Sequence, residues 1–158
     1  MAALVAGCTT TASPSQPPGG DATPGSGGGP GIDLPGLDDL FPKPPDGRPS
    51  LVFPKPGQLN VHPVGATLIE PAIKDRHLWV RVSWWSGVEP CSVLDSISVD
   101  RTGDAFAITL SEGSSALDVA CIEIAMLKAT VIDLGELERG TYTVSSAGEA
   151  PAVTVTIG

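Results

Sequence analysis

The stretch Leu78-Trp79-Val80-Arg81-Val82-Ser83-Trp84-Trp85 decides the fold class of this chain. Its even-numbered positions are all apolar, whereas its odd-numbered positions include an arginine and a serine. A period of two is the period of a β-strand, in which successive side chains point to opposite faces of a sheet. We therefore predict a strand that buries Leu78, Val80, Val82 and Trp84 and turns Trp79, Arg81, Ser83 and Trp85 the other way.

Shorter runs of the same kind follow this strand as far as the C-terminus. Asp100–Asp104 has the Gly and Asp residues of a tight turn and separates two runs that would form a hairpin. Glu112–Ser115 and Ser145–Pro151 are predicted loops. Because short strands with turns at intervals of about 8–12 residues are typical of a sandwich, we predict an all-β sandwich of about seven to nine strands.

Residues 116–128 fit two periodicities. On a helix, Leu117, Cys121, Ile124 and Lys128 would share one face. On a strand, the shared face would comprise Ala120, Ile122, Ile124 and Met126. We favour the strand, because the neighbouring segments are predicted strands and residues 129–134 continue the β-branched pattern.

The N-terminal part of the chain has a different composition. The 158 residues contain 19 Gly and 16 Pro, and 20 of these 35 fall within the first 50 residues. Gly frees the backbone and Pro blocks helices and sheets, so residues 9–50 are predicted to be a disordered tether before a sandwich domain at 51–158. An apolar island interrupts the tether, and its members are Ile32, Leu34, Leu37, Leu40 and Phe41. We favour an inert island over a motif that docks on a partner or back on the domain.

The first eight residues resemble the end of a bacterial lipoprotein signal peptide, because Val5-Ala6-Gly7-Cys8 is similar to a lipobox. The resemblance implies cleavage before Cys8, acylation of Cys8 and an extracytoplasmic chain held at the cell membrane by its lipid. Several acyl chains make such an anchor stable, whereas one chain does not. Because a signal peptide begins with basic residues and none precedes Cys8, we expect an earlier start or a trimmed sequence. A chance Val-Ala-Gly-Cys is the alternative.

Two further resemblances concern the domain. Leu137, Gly140, Tyr142 and Val144 are similar to the L-x-x-G-x-Y-x-V run of immunoglobulin-like domains, which implies that the Tyr142 hydroxyl bonds to nearby backbone. A second pattern comprises Trp85, Gly87, Pro90, Cys91, Gly103, Asp104, Ile108, Thr109, Leu110, Glu112, Gly113, Ala120, Cys121, Ile122 and Glu123. In these residues the chain resembles an uncharacterised domain of exported proteins in high-GC Gram-positive bacteria, for which no activity is implied.

Two of the three cysteines, Cys91 and Cys121, lie in the predicted domain. Because disulfides persist in exported proteins, we expect these two to form a bridge. The cysteines and the two histidines have no spacing typical of zinc ligands, so no metal and no cofactor is predicted. With 9 basic and 18 acidic residues, a net charge of −9 and no basic cluster, the chain is not expected to bind nucleic acid.

No catalytic residues are predicted, and we expect that the protein is not an enzyme. His62 and His77 have no neighbouring ligand pattern and are expected to be exposed or loosely packed. No G-x-S-x-G nucleophile turn is present. Asp100 and Asp104 lack the alternating oxygen ligands of a calcium loop.

Trp79, Arg81 and Trp85 are the candidate binding patch, because aromatic side chains beside an arginine can grip a protein or a glycan. The alternative is that another part of the chain, such as Leu51–Pro56, covers this face. The leading hypothesis is therefore a membrane-anchored cell-envelope lipoprotein that binds or scaffolds an envelope protein or glycan. An inhibitor of secreted proteases, presenting residues 112–118 or 86–90, is the main alternative, and an enzyme with an unrecognised site is a remote one.

Overall fold

The computed structural model describes residues 36–42, 48–118 and 120–158, and their regular structure is almost entirely strand. The described residues from 36 onward belong to one unit. The elements in chain order are the helical turn α1 (Leu37–Leu40) and the strands β1 (Ser50–Leu51), β2 (Leu59–Val64), β3 (Leu68–Lys74), β4 (His77–Ser86), β5 (Val93–Thr102), β6 (Ala105–Ser114), β7 (Met126–Glu136), β8 (Gly140–Ser146) and β9 (Val153–Ile157). The predicted all-β fold is confirmed.

The nine strands of the described chain form two sheets. Sheet A has the order β1-β7-β4-β3, and sheet B has the order β2-β6-β8-β9 with β5 beside β6. Both sheets contribute buried side chains to one core, which comprises Ala66, Ile69, Leu78, Val80, Val82, Trp84, Leu94, Phe106, Ile108, Leu110, Ile132, Leu137, Tyr142, Val144, Ala150, Val155 and Ile157. Two sheets that share a core make a sandwich, so the predicted architecture is also confirmed.

β4 lies inside sheet A and shows the predicted alternation. It pairs with β3 on one side and with β7 on the other, both antiparallel. Leu78, Val80, Val82 and Trp84 are completely buried in the core. The odd-numbered residues of β4 consequently lie on the face of sheet A that points away from sheet B, which we call the outer face.

β5 and β6 form the predicted hairpin. Thr102 pairs with Ala105, so the turn consists only of Gly103 and Asp104, and Gly103 has φ 59, which glycine adopts without strain. The loop predicted at Glu112–Ser115 is wrong for its first three residues, because β6 continues to Ser114. The end of β6 pairs with β5 and also with β2, and these partners on both sides explain why it remains a strand.

Tyr142 of β8 makes the contact that the immunoglobulin-like run implies. Its hydroxyl donates to the Glu138 backbone oxygen at 3.0 Å, and its ring is buried beside Phe106. The guanidinium of Arg101 lies above both rings, with its Cζ 5.0 Å from the Phe106 centroid and 5.7 Å from the Tyr142 centroid. The tyrosine thus fixes the chain where it enters β8, the first of the two predicted closing strands.

The strand predicted for residues 116–128 is wrong over most of its length, because β7 begins only at Met126. We call residues 115–118 and 120–125 the disulfide loop. Ser115 N donates to Pro90 O at 2.9 Å, and Cys121 is bonded to Cys91. These two bonds hold the loop against the irregular segment around Pro90 and Cys91 instead of against a strand. The loop therefore forms neither the helix nor the strand that the sequence pattern allowed.

The described part of the predicted tether contacts the domain, so the boundary at residue 51 lies too late. Phe41 is only 7 % exposed, and β1 begins at Ser50. The expectation of an inert island is wrong at Phe41, whose ring packs on Arg81 of the outer face. The lipobox Val5–Cys8 and residues 9–35 of the tether lie outside the described residues.

The chain passes from sheet B to sheet A at Ala66, between β2 and β3. Ala66 N donates to Ala147 O at 2.7 Å, and Ala66 O accepts from Glu149 N and Ala150 N at 2.9 Å. Gly148 faces this crossing with φ +110, and a Cβ atom added there would lie 2.5 Å from Ala66 O. Only glycine therefore fits at position 148.

Candidate functional site

Arg81, in the middle of the candidate binding patch, is engaged by contacts within the chain. Its Nε and Nη2 donate to the two carboxylate oxygens of Glu70 on β3, at 2.8 and 2.9 Å. The Phe41 ring covers the guanidinium, with Arg81 Cζ 5.1 Å from the ring centroid. An arginine–carboxylate pair joined by two hydrogen bonds has a fixed orientation. The Arg81 guanidinium is therefore held in place by Glu70 and is not a free surface cation.

Trp79 lies next to Arg81 on the same face and stacks on His77, with 4.0 Å between the ring centroids. His77 Nε2 is 2.5 Å from Asp133 Oδ1, and the same oxygen accepts from Gly135 N at 2.7 Å. His77 is thus stacked and paired at the end of sheet A, although its side chain is still partly exposed. His62 is exposed.

Trp85 lies on the same face but apart from the other two patch residues. It is 53 % exposed and pairs with Leu127 of β7. Six residues of strand separate it from Trp79, which corresponds to about 20 Å. The structure therefore brings Trp79 and Arg81 together and leaves Trp85 at the opposite end of β4.

The disulfide lies just beyond the two segments that the inhibitor hypothesis singled out, residues 86–90 and 112–118. The Cα atoms of Cys91 and Cys121 are 5.8 Å apart, so the predicted bridge is present. The backbone bond from Ser115 to Pro90 forms a second link between the disulfide loop and residues 86–92. On the other side of these residues, Lys55 Nζ forms an ion pair with Glu89 at 2.8 Å.

The disulfide loop turns large apolar side chains into solvent. Leu117, Ile122 and Ile124 are 64 %, 60 % and 53 % exposed. Between them the loop carries Asp118 and Glu123 and no basic residue. The sequence interpretation missed this surface because it assigned Ile122 and Ile124 to one shared face of a strand. A bridge at Cys121 was the available signal that the segment is held irregularly.

A buried ionic network lies beside the same end of the sandwich, and sequence reasoning did not find it. Lys128 of β7 and Glu112 of β6 have side chains only 5 % and 4 % exposed, with Nζ 3.1 Å from Oε1. Glu112 also accepts from Trp84 Nε1 at 3.1 Å and from Ser86 Oγ at 2.6 Å. Lys128 donates further to Ser86 Oγ at 3.1 Å and to Ser92 O at 2.7 Å.

This network matches the donors of a buried lysine with acceptors. Lys128 Nζ donates to three of them, which are Glu112 Oε1, Ser86 Oγ and Ser92 O. Its contacts join sheet A to sheet B and to the residue that follows Cys91. The sequence did contain a signal, because Glu112 continues the core-facing series of Phe106, Ile108 and Leu110.

Asp95 of β5 fastens the segment that precedes β2. Its Oδ1 accepts from Gln58 N at 2.9 Å and from Gly57 N at 2.8 Å. The backbone bond from Gln58 is the main reason that the pKa of Asp95 lies below its ordinary value, and it outweighs the opposing effect of desolvation. The carboxylate is therefore the form that the folded chain favours.

Within the described ranges, no group of three or more His, Cys, Asp or Glu side chains is placed to hold a metal ion. Nor does any helix among the described residues have the length and hydropathy needed to cross a membrane. No protein-family model, curated protein or solved structure matches this chain.

Proposed function

We propose that the chain is a membrane-anchored cell-envelope lipoprotein whose sandwich is a non-catalytic binding module, with the disulfide loop as its main binding surface. The exposure of Leu117, Ile122 and Ile124 on a loop tied to the domain carries the proposal. Apolar side chains gathered on one exposed loop are typical of interaction sites, and the ties reduce the entropy lost on binding.

The charge of the loop indicates the chemistry of the partner. Asp118 and Glu123 stand among the apolar residues, and the whole chain has a net charge of −9. An envelope protein with an apolar surface and a basic rim would complement this loop, whereas a second copy of the chain would meet like charges.

The anchoring part of the proposal rests on Val5-Ala6-Gly7-Cys8 and is supported by the bridge, since stable disulfides belong to oxidising compartments. In the natural host, the protein should partition into detergent and carry acyl groups on an N-terminal Cys8. Cys8→Ser should move it to the aqueous phase. An unacylated wild-type protein with residues 1–7 still attached would refute the anchor.

Site-specific photo-crosslinking in the intact envelope tests the binding surface. A photoreactive residue at position 117 should give a discrete crosslinked product, whereas the same residue at Val99, an exposed apolar position on β5, should not. Ile122→Ser together with Ile124→Ser should reduce the product at 117. Equal yields at 117 and 99, or no product at either, would count against the loop.

Leu117 also favours protease inhibition as a second candidate function, because it is an exposed apolar residue on a loop tied at Ser115 and Cys121. Residues 112–114 are excluded from such a loop by their place in β6. Inhibition should be measured against secreted serine proteases that accept leucine, with Leu117→Asp as the control variant. A chain that inhibits none of them, or that inhibits equally with Leu117→Asp, eliminates this candidate.

A further inference from the structure

A second site lies on the outer face of sheet A, where the chain's own N-terminal segment is seated. Asp39 N and Leu40 N both donate to Gly36 O at 3.1 Å, which forms the turn α1 directly before Phe41. Phe41 is buried on this face, and Pro42 beside it is exposed. A single aromatic side chain thus attaches the segment at this point.

The strip of the outer face around Arg81, Ser83 and Ala129, which we call the groove, is ordered where Phe41 contacts it. Glu70 holds the Arg81 guanidinium by two bonds, and the ring lies over that guanidinium. A cation against an aromatic face is attractive, and more so when water is excluded. The aliphatic part of the arginine adds apolar surface.

An unsatisfied polar group lies further along β4 on the same face. Ser83 follows Arg81 on the outer face and is 1 % exposed, yet its Oγ has no hydrogen-bond partner. Across the strand pair, Ala129 is completely buried on the same face. A buried hydroxyl without a partner is unfavourable for a structure and useful to a ligand that brings a backbone donor or acceptor.

The N-terminal segment is a replaceable occupant of this groove. Burial of one aromatic ring favours docking, whereas the conformational entropy lost on ordering residues 36–42 opposes it and leaves the segment weakly held. Its advantage over an external ligand is the effective concentration that covalent attachment provides. An external segment with additional contacts, such as one to Ser83, can therefore displace it.

We propose that the groove formed by Glu70, Arg81, Ser83 and Ala129 is a binding site for a short Leu-Phe-Pro-type peptide segment of a partner protein. Residues 36–42 occupy the site in cis and show which chemistry it accepts. This site is separate from the disulfide loop, and the inference uses neither the loop nor the lipid anchor.

Peptide binding to the 158-residue chain and to its Phe41→Ala variant tests the proposal. The probe is the peptide GLDDLFPKP, the sequence of residues 36–44, and the control peptide has alanine in place of phenylalanine. Nuclear magnetic resonance of the Arg81 Nε–H and the Ser83 amide reports binding at this groove. Because the cis occupant lowers the fraction of competent protein, Phe41→Ala should bind the peptide more tightly than the unmodified chain, by about 2-fold when the cis segment is bound half of the time.

Three results would overturn the proposal: no peptide-dependent shifts in Phe41→Ala at several millimolar peptide, equal affinities for both chains, or equal binding of the control peptide. Phe41→Trp keeps an aromatic ring and should restore the weaker binding of the unmodified chain. A second measurement avoids reliance on the variant's folding. With 4-fluorophenylalanine at position 41, added peptide should move the fluorine resonance toward its free value, and a resonance that stays fixed contradicts the exchange.

Discussion

Replacing Lys128 with methionine tests the energetic account of the buried network. The change removes donors to Glu112, Ser86 and Ser92, at distances of 2.7 to 3.1 Å, and leaves the Glu112 carboxylate buried without its counter-ion. Methionine keeps an unbranched side chain of similar length, so the cavity contribution is small. Breaking a buried ion pair by removing one partner typically costs about 3–5 kcal/mol.

Urea and thermal unfolding measure this loss. Trp84 is a suitable probe, since it is fully buried and its Nε1 donates to Glu112. For a domain of this size, a loss of about 3–5 kcal/mol corresponds to a fall in Tm of about 12–20 °C. Lys74→Met is the matched control at an exposed lysine, and its effect should stay within about 0.5 kcal/mol.

The double variant Glu112→Gln with Lys128→Met separates the ion pair from packing. It removes both charges, so it should be clearly more stable than Lys128→Met alone. A loss below about 1 kcal/mol for Lys128→Met would refute the reasoning, because it would mean that Glu112 does not depend on the ammonium. If the double variant were as unstable as Lys128→Met alone, the loss of stability would come from packing and not from the unpaired charge.

Three further predictions follow from single contacts. Asp95→Asn should destabilise the chain at pH 7 and lose that effect below about pH 4 in urea titrations, because a carboxylate whose pKa is lowered in the folded state stabilises only while it is ionised. Cys91→Ser with Cys121→Ser should cost about 3.6 kcal/mol by the loop-entropy estimate and make Tm insensitive to reductant, whereas an unchanged Tm would contradict a stabilising bridge. Gly148→Ala should be far more destabilising than Gly103→Ala, since an added Cβ meets the Ala66 backbone only at the first position, and equal urea midpoints would exclude that clash.

The fold was predictable where side chains follow one local rule. In β4 the period of two is unbroken, and the strand buries its predicted face. Residues 116–125 were mispredicted because their position depends on a bond to Cys91, which is distant in sequence, and a periodicity carries no such information. The sequence predicts too early an end for β6, because Glu112-Gly113-Ser114 has the composition of a loop. Pairing with strands on both sides keeps these residues extended.

The same distinction between local patterns and contacts distant in sequence applies to the candidate sites. Arg81 and Trp79 were found from alternation, but the contacts of Arg81 with Glu70 and Phe41 depend on register and on a segment far away in the sequence. The pairing of Glu112 with Lys128 likewise requires the two sheets to face each other, which no local pattern specifies.

The two proposed binding sites are connected by the point at which the chain enters the sandwich. β1 pairs Ser50 with Lys128, close to Met126, so the chain joins sheet A beside the end of the disulfide loop. With Phe41 seated on Arg81, the described chain instead first meets the sheet near the middle of β4. In the proposed anchored form, displacement of Phe41 by a partner peptide would therefore move the attachment point toward the disulfide loop.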